Sequence, residues 1–160
     1  MIWERLIMDM TEKERLELIE KTEQFIINGK KPGYLHHLAE DLGAQLLDIL
    51  SDGTLRVRYP VRDDQRNGAG NLQGGMMASL IDNAVAISIV PRTGPFMTIN
   101  LNINYFAPVT EDFDHVDIEV KTVKDGKTVM YKQAEVYRPD GKLAALAGTN
   151  VMNDKKHKYE

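Results

Sequence analysis

A single acid interrupts the most apolar run of the chain. The stretch Gly74 to Val90 reads GGMMASLIDNAVAISIV, with Asp82 near its middle, after Ile81 and shortly before Ala84-Val85. A carboxylate in such surroundings must be hydrogen-bonded, paired or neutralised, because an isolated buried charge is very costly. Two readings are open at this point. Asp82 either caps a neighbouring loop as a buried structural acid, or serves as a base or nucleophile while Gly74-Gly75 forms an anion-stabilising helix N-terminus. The second reading carries a geometric condition. Gly75 and Asp82 lie about two turns apart, roughly 10 Å at ~1.5 Å per residue, whereas a nucleophile must approach within about 3–3.5 Å of the atom it attacks. One chain cannot easily bring both groups to one carbonyl; two helices running antiparallel across a two-fold axis can. A site of this kind sits at a dimer interface.

The element that must hold Asp82 is a helix. Met76, Met77, Leu80, Ile81, Ala84, Val85, Ile87 and Ile89 recur at helical spacings and leave no wide polar face, the pattern of a helix buried inside a protein or a membrane. A bilayer needs about 20 apolar residues, and this run carries Asp82, Asn83 and two serines, so it reads as a core helix with Pro91 expected just past its end. Upstream, Thr11-Glu12-Lys13-Glu14 matches a capping box. It opens a helix over Glu12 to Asn28 with Leu16, Ile19 and Ile26 along one side, widened by Leu18 and Phe25, and with Gly29 as its stop. Lys30-Lys31-Pro32-Gly33 breaks that helix, and Tyr34 to Leu38 reads as a short helical turn.

From Ala44 the period shortens to two. Gln45 to Leu50 and Thr54 to Val61 flank the turn Ser51-Asp52-Gly53, a hairpin signal. Arg62 to Leu72 is a polar, glycine-bearing loop leading into the buried helix. Phe96 to Phe106 is the clearest strand: Met97, Ile99, Leu101, Ile103 and Tyr105 alternate with Thr98, Asn100, Asn102 and Asn104, which puts Thr98 on the asparagine face. That neutral polar face suits another chain or a site better than open solvent. Three further strands, marked by Val116-Ile118-Val120, Thr128 to Arg138 and Lys142 to Met152, are joined at Lys124-Asp125-Gly126-Lys127 and Pro139-Asp140-Gly141, an antiparallel meander. The expectation is an α+β fold: a long buried central helix wrapped by a curved antiparallel sheet of five or six strands, with an extra N-terminal helix.

Bulk properties narrow the function. With 42% hydrophobic and 28% charged residues over 160 positions, the chain reads as one globular domain with a proper core. The net charge is −4 with dispersed Lys and Arg, which disfavours nucleic acid. There is no cysteine, which removes thiolate nucleophiles, thiolate metal sites and disulfides together. The acidic, Trp-bearing N-terminus is unlike a signal peptide, and a cytoplasmic protein with no membrane role is expected. His36-His37, His115 and His157 lack metal-ligand spacing, and Gly68, Gly70 and Gly74 have the wrong spacing for a dinucleotide loop.

The residues from Asn67 to Asn83 (NGAGNLQGGMMASLIDN), from Thr98 to Pro108 (TINLNINYFAP) and from Val123 to Val129 (VKDGKTV) resemble the hotdog-fold thioesterases of the phenylacetate-pathway, PaaI-like type. The match runs from about Gln45 to Asn153. It implies an N-terminal helical extension over 1–43, a hotdog thioesterase domain over 44–154 and a charged tail over 155–160. It also implies that Asp82 activates water or attacks the thioester carbonyl, and that Gly75 and Gly74 polarise that carbonyl from the helix tip of a partner subunit. Asn67 takes the place of a loop asparagine near the same oxygen, and Thr98 that of a hydroxyl residue orienting the attacking water. Gln73 departs from the pattern, since many members have His there; Gln donates a hydrogen bond but does not titrate near neutrality. The implied substrate is an acyl or aryl ester of coenzyme A, with CoA as part of the substrate and no separate cofactor or metal. Lys124 and Lys127, flanking Gly126, are placed to meet the CoA phosphates or to be solvated hairpin charges. The implied assembly is at least a homodimer, extended to a homotetramer by pairing of dimers. The alternative is a non-catalytic acyl-CoA-binding or structural hotdog protein, and a hydratase on the same scaffold lacks its usual His-containing pair.

Overall fold

The computed structural model describes residues 10–28 and 37–153. Gly29, the break at Lys30 to Gly33, most of the Tyr34 to Leu38 turn, and the charged tail with His157 lie outside these residues.

Helix α1 (Glu12–Ile27) starts where the capping box places it. Thr11 Oγ1 accepts from the Glu14 N–H at 3.3 Å, and the Thr11 N–H donates to Glu14 Oε2 at 2.9 Å, so two otherwise orphaned groups satisfy each other. After the short helix α2 (His37–Asp41), the hairpin β1 (Gln45–Ile49) and β2 (Leu55–Pro60) leads through a loop to helix α3 (Gly74–Thr93). Strands β3 (Phe96–Tyr105), β4 (His115–Lys124), β5 (Val129–Tyr137) and β6 (Leu143–Asn153) follow. The six strands form one sheet in the order β1-β2-β4-β5-β6-β3, every neighbouring pair antiparallel.

Alternation decides what the sheet does with its two faces. Leu55, Val57 and Tyr59 of β2, Val116, Ile118 and Val120 of β4, and Ala134 and Val136 of β5 are all buried in one core with Leu80, Ile81, Ala84, Val85 and Ile87 of α3. The opposite face carries ion pairs such as Arg56–Glu119 at 2.8 Å and Arg58–Asp117 at 2.7 Å. This is the hotdog arrangement, with six strands. By length and composition α3 could cross a membrane, yet it spends its apolar surface on the sheet.

The two edges of the sheet differ. Alongside β1 lies α1, whose Arg15 donates to Asp48 Oδ1 at 2.8 Å and to the Ile49 carbonyl at 3.2 Å. Strand β3, by contrast, has β6 on one side and no strand on the other among the described residues. Met97, Ile99 and Tyr105 of β3 are 49%, 52% and 51% exposed.

Two expectations need correction here. Pro91 does not end the buried helix; it lies inside the last turn, and Gly94 ends it with φ +84°. A missing N–H near a C-terminus forfeits a single ladder bond, while Gly94, at φ +84° and ψ −156°, takes a backbone conformation essentially reserved for glycine and donates to the Val90 carbonyl at 3.0 Å. Strict alternation along β3 also fails, because the strand bulges between Thr98 and Asn100.

Candidate active site

The helix α3 is not sealed all round. Gly75, Ser79 and Asp82 are exposed, and steps of four and three residues put them on one stripe. Asp82 is therefore not the buried acid its neighbours suggest. The buried polar residue beside it is Asn83, 8% exposed, whose Oδ1 accepts from the hydroxyl of fully buried Tyr59 at 2.8 Å. Burial pushes the Tyr59 phenol well above its ordinary range and keeps it a donor.

Thr98 meets Asp82 because of the bulge. Thr98 pairs with Val151, and after the extra residue Ile99 the register resumes with Asn100↔Asn150 and Leu101↔Thr149. Cross-strand partners share a face, and Val151 and Thr149 are buried. Thr98 therefore turns toward α3 with Leu101, instead of joining the asparagines as alternation predicts. Its hydroxyl donates to Asp82 Oδ1 at 2.9 Å. Bulges commonly re-aim one side chain beside a site in this way.

The other end of the stripe is the helix tip. The first helical bond runs from the Met77 N–H to the Gln73 carbonyl at 2.9 Å, so the N–H groups of Gly74, Gly75 and Met76 have no partner within the helix. Gly75 has open space where a Cβ would stand. Gln73 is exposed and its side chain does not cap the helix, while its N–H donates to the Gln65 carbonyl at 2.9 Å. Asn67 is exposed in the preceding loop, and its Oδ1 accepts from the Ala69 and Asn71 N–H groups at 2.9 and 3.2 Å. With the oxygen so engaged, the amide nitrogen is the end of Asn67 that can address a substrate.

Some supports of this site are not visible in sequence patterns. Arg66 pins the glycine loop by donating to the carbonyls of Gly70, Thr110 and Phe113 at 3.1, 3.0 and 2.9 Å. Tyr105 donates its hydroxyl to the Gly74 carbonyl at 2.8 Å. A Tyr in an alternating strand signals a face only; its bond to a helix tip 31 positions away is a tertiary fact.

The structure thus brings Asp82 and Thr98 together and leaves the glycine tip apart from them, about 10 Å along the same helix. Lys124, Gly126 and Lys127 form the β4–β5 turn. The Lys127 carbonyl accepts from Asn153 Nδ2 at 3.3 Å, and Asn153 pairs with Phe96 at the start of β3. The turn therefore lies at the end of the sheet where β3 begins, roughly 10 Å sideways from it at ~4.8 Å per strand. Gly126 is required there, since a Cβ would strike the Val129 carbonyl oxygen. A groove of about 280 Å³ runs along α1 past Glu20, Gln24 and Phe25, away from these residues. Among the described residues, no His, Cys, Asp or Glu side chains gather into a set of three that could hold a metal ion.

An exposed acid hydrogen-bonded to a hydroxyl, on a helix whose first N–H groups have no partner among the described residues, is equipment for adding water to a carbonyl. The sequence model of the thioesterase superfamily matches residues 69–145, spanning the glycine tip, Asp82 and Thr98. The chain belongs to this superfamily and is a thioester hydrolase. Acyl-coenzyme A thioesterase 13 of Homo sapiens is 30% identical over 107 residues, covering 65% of this chain and 76% of that protein. The PaaI protein of the Escherichia coli phenylacetic acid degradation operon shares the fold, with a TM-score of 0.70 over 86% of this chain and 96% of that one at 18% identity. A variant of the phenylacetic acid degradation protein PaaI from Thermus thermophilus is 27% identical, with a TM-score of 0.63 over 72% and 96% of the two chains.

Proposed function

We propose that this protein hydrolyses an acyl or aryl thioester of coenzyme A in a site shared between two copies of the chain, in the cytoplasm. Asp82 and Thr98 of one copy act with Gly74-Gly75, Asn67 and Gln73 of the other. The observation that carries the reading is the 2.9 Å bond from Thr98 Oγ1 to Asp82 Oδ1, on an exposed stripe next to a strand that ends the sheet among the described residues. The ~10 Å between the acid and the tip of its own helix supports the requirement for a second copy.

In this scheme a water held by Thr98 and Asp82 attacks the thioester carbon as Asp82 takes its proton. Negative charge gathers on the carbonyl oxygen and meets the free N–H groups of the glycine tip, with the amides of Asn67 and Gln73 close by. The C–S bond then breaks, the sulfur leaves with the proton that Asp82 held, and the free acid departs. Direct attack by the Asp82 carboxylate, with water hydrolysing the resulting anhydride, uses the same groups. Lys124 and Lys127, held apart by the tight turn at Gly126, supply the positive charge that CoA phosphates would meet. The acyl-CoA substrate named for the relative from Homo sapiens supports CoA as the carrier. Pairing of dimers into a homotetramer extends the proposal.

Asp82→Asn tests it. The amide keeps the shape and the bond to Thr98 but cannot accept a proton, so turnover across short, long and aromatic CoA esters should fall by about 10²–10⁴-fold with the melting temperature held. Equal hydrolysis by the variant would remove Asp82 from both roles.

A further inference from the structure

The donors at the helix tip are themselves held. The geometry points to Tyr105 as a positioning residue that fixes and polarises the Gly74–Gly75 peptide group; this rests on the reading of that tip as the carbonyl-binding end of a thioesterase site. Tyr105 pairs with buried Ala145 across β3 and β6 and so faces α3. Its hydroxyl donates to the Gly74 carbonyl oxygen at 2.8 Å, and its ring lies 3.5–3.8 Å from where a Gly74 Cβ would stand. A carbonyl oxygen has two lone pairs, and this bond occupies one from outside the helix.

The consequence follows from the peptide bond. The Gly74 carbonyl and the Gly75 N–H are the two ends of one planar, resonance-coupled unit. A hydrogen bond accepted by the oxygen draws electron density from the nitrogen and makes the N–H a stronger donor, the cooperative effect known for chains of hydrogen bonds. It also locks the plane. Two consecutive glycines would otherwise leave the first turn of α3 with great backbone freedom, and an oxyanion donor loses its advantage if it must reorganise during the reaction. Tyr105 thus lets the tip keep glycines, with open space in front of Gly75, while holding its N–H aimed.

Tyr105→Phe removes the hydroxyl and keeps the ring. The expected result is a kcat lowered about three- to tenfold with KM within about twofold, less than the loss of a direct oxyanion donor. A direct readout is also accessible. The 12 glycines include one Gly-Gly step, at 74–75, so protein grown on glycine carrying 13C at the carbonyl and 15N at the amine gives a single carbonyl-to-amide correlation, belonging to this peptide. In Tyr105→Phe that signal should move upfield in both 15N and 1H. An unmoved signal overturns the proposal, as does a wild-type kcat in Tyr105→Phe beside an Asp82→Asn protein that has lost turnover. Turnover surviving in Asp82→Asn would instead overturn the reading of Asp82, and the correlation alone would then decide whether Tyr105 polarises the peptide.

Discussion

Lys132 places its ammonium on the face of β5 that points into the molecule. It is 3% exposed, and its Nζ donates to Thr122 Oγ1 at 2.8 Å. Burial, with Arg92 adding to it, pulls its pKa down to about 8, and Asp125 offsets this only in part. Between pH 8 and the ordinary lysine range the unfolded chain therefore holds a proton that the folded chain has lost, so stability attributable to this residue rises with pH across that window. Below it, the folded protein keeps a charge in a poor place. Lys132→Met should raise stability by about 1–3 kcal/mol at pH 7. The gain should vanish as pH approaches 10.5, which melting curves at several pH values would check. A gain equal at all pH values would mean that packing, not charge, is responsible.

At the scale of elements, the end of α3 is assigned to Gly94 and not to Pro91. The two residues make opposite predictions. At Gly94, φ is +84° and ψ −156°, a region open essentially to glycine alone, so Gly94→Ala should cost about 1–3 kcal/mol of backbone strain even though a Cβ would meet nothing within 4 Å. Pro91→Ala restores a ladder donor in the last turn, and the helix should still stop at Gly94, with urea midpoints at or above wild type. If Pro91→Ala lengthened the helix and Gly94→Ala changed nothing, proline would be the stop after all. The strand that follows shows another element-scale decision: the extra residue at Ile99 reverses the facing of Thr98 relative to Asn100. One inserted residue thus determines whether the hydroxyl meets Asp82.

At the scale of the whole molecule, the two sheet edges differ among the described residues. Arg15 of α1 reaches across to β1, while β3, bearing exposed Met97 and Ile99, has no strand on its outer side among the described residues. Unprotected edge strands of this kind pair readily with another strand. If the site is shared between copies through β3, Met97→Lys with Ile99→Lys should give a folded monomer by light scattering that has lost thioester hydrolysis. A fully active monomer would show that one chain suffices.

Much of this was legible in the linear order of residues. The capping box at Thr11, the hairpin at Ser51-Asp52-Gly53, the meander and the apolar helix are local patterns, because helices and strands bury residues at fixed periods and turns demand particular residues. The association of Asp82 with a glycine tip is local too, since both lie on one helix. What only the tertiary structure decided is how those patterns meet. Ile81 and Asn83 flank Asp82, yet Asp82 is exposed and Asn83 takes the buried bond to Tyr59. No period distinguishes these neighbours, because which side of an almost wholly apolar helix stays open depends on where the sheet stops. The turn of Thr98 toward Asp82 and the hold of Tyr105 on Gly74 are of the same kind. They arise from a bulge and a register, which are set by contacts between strands far apart in the chain.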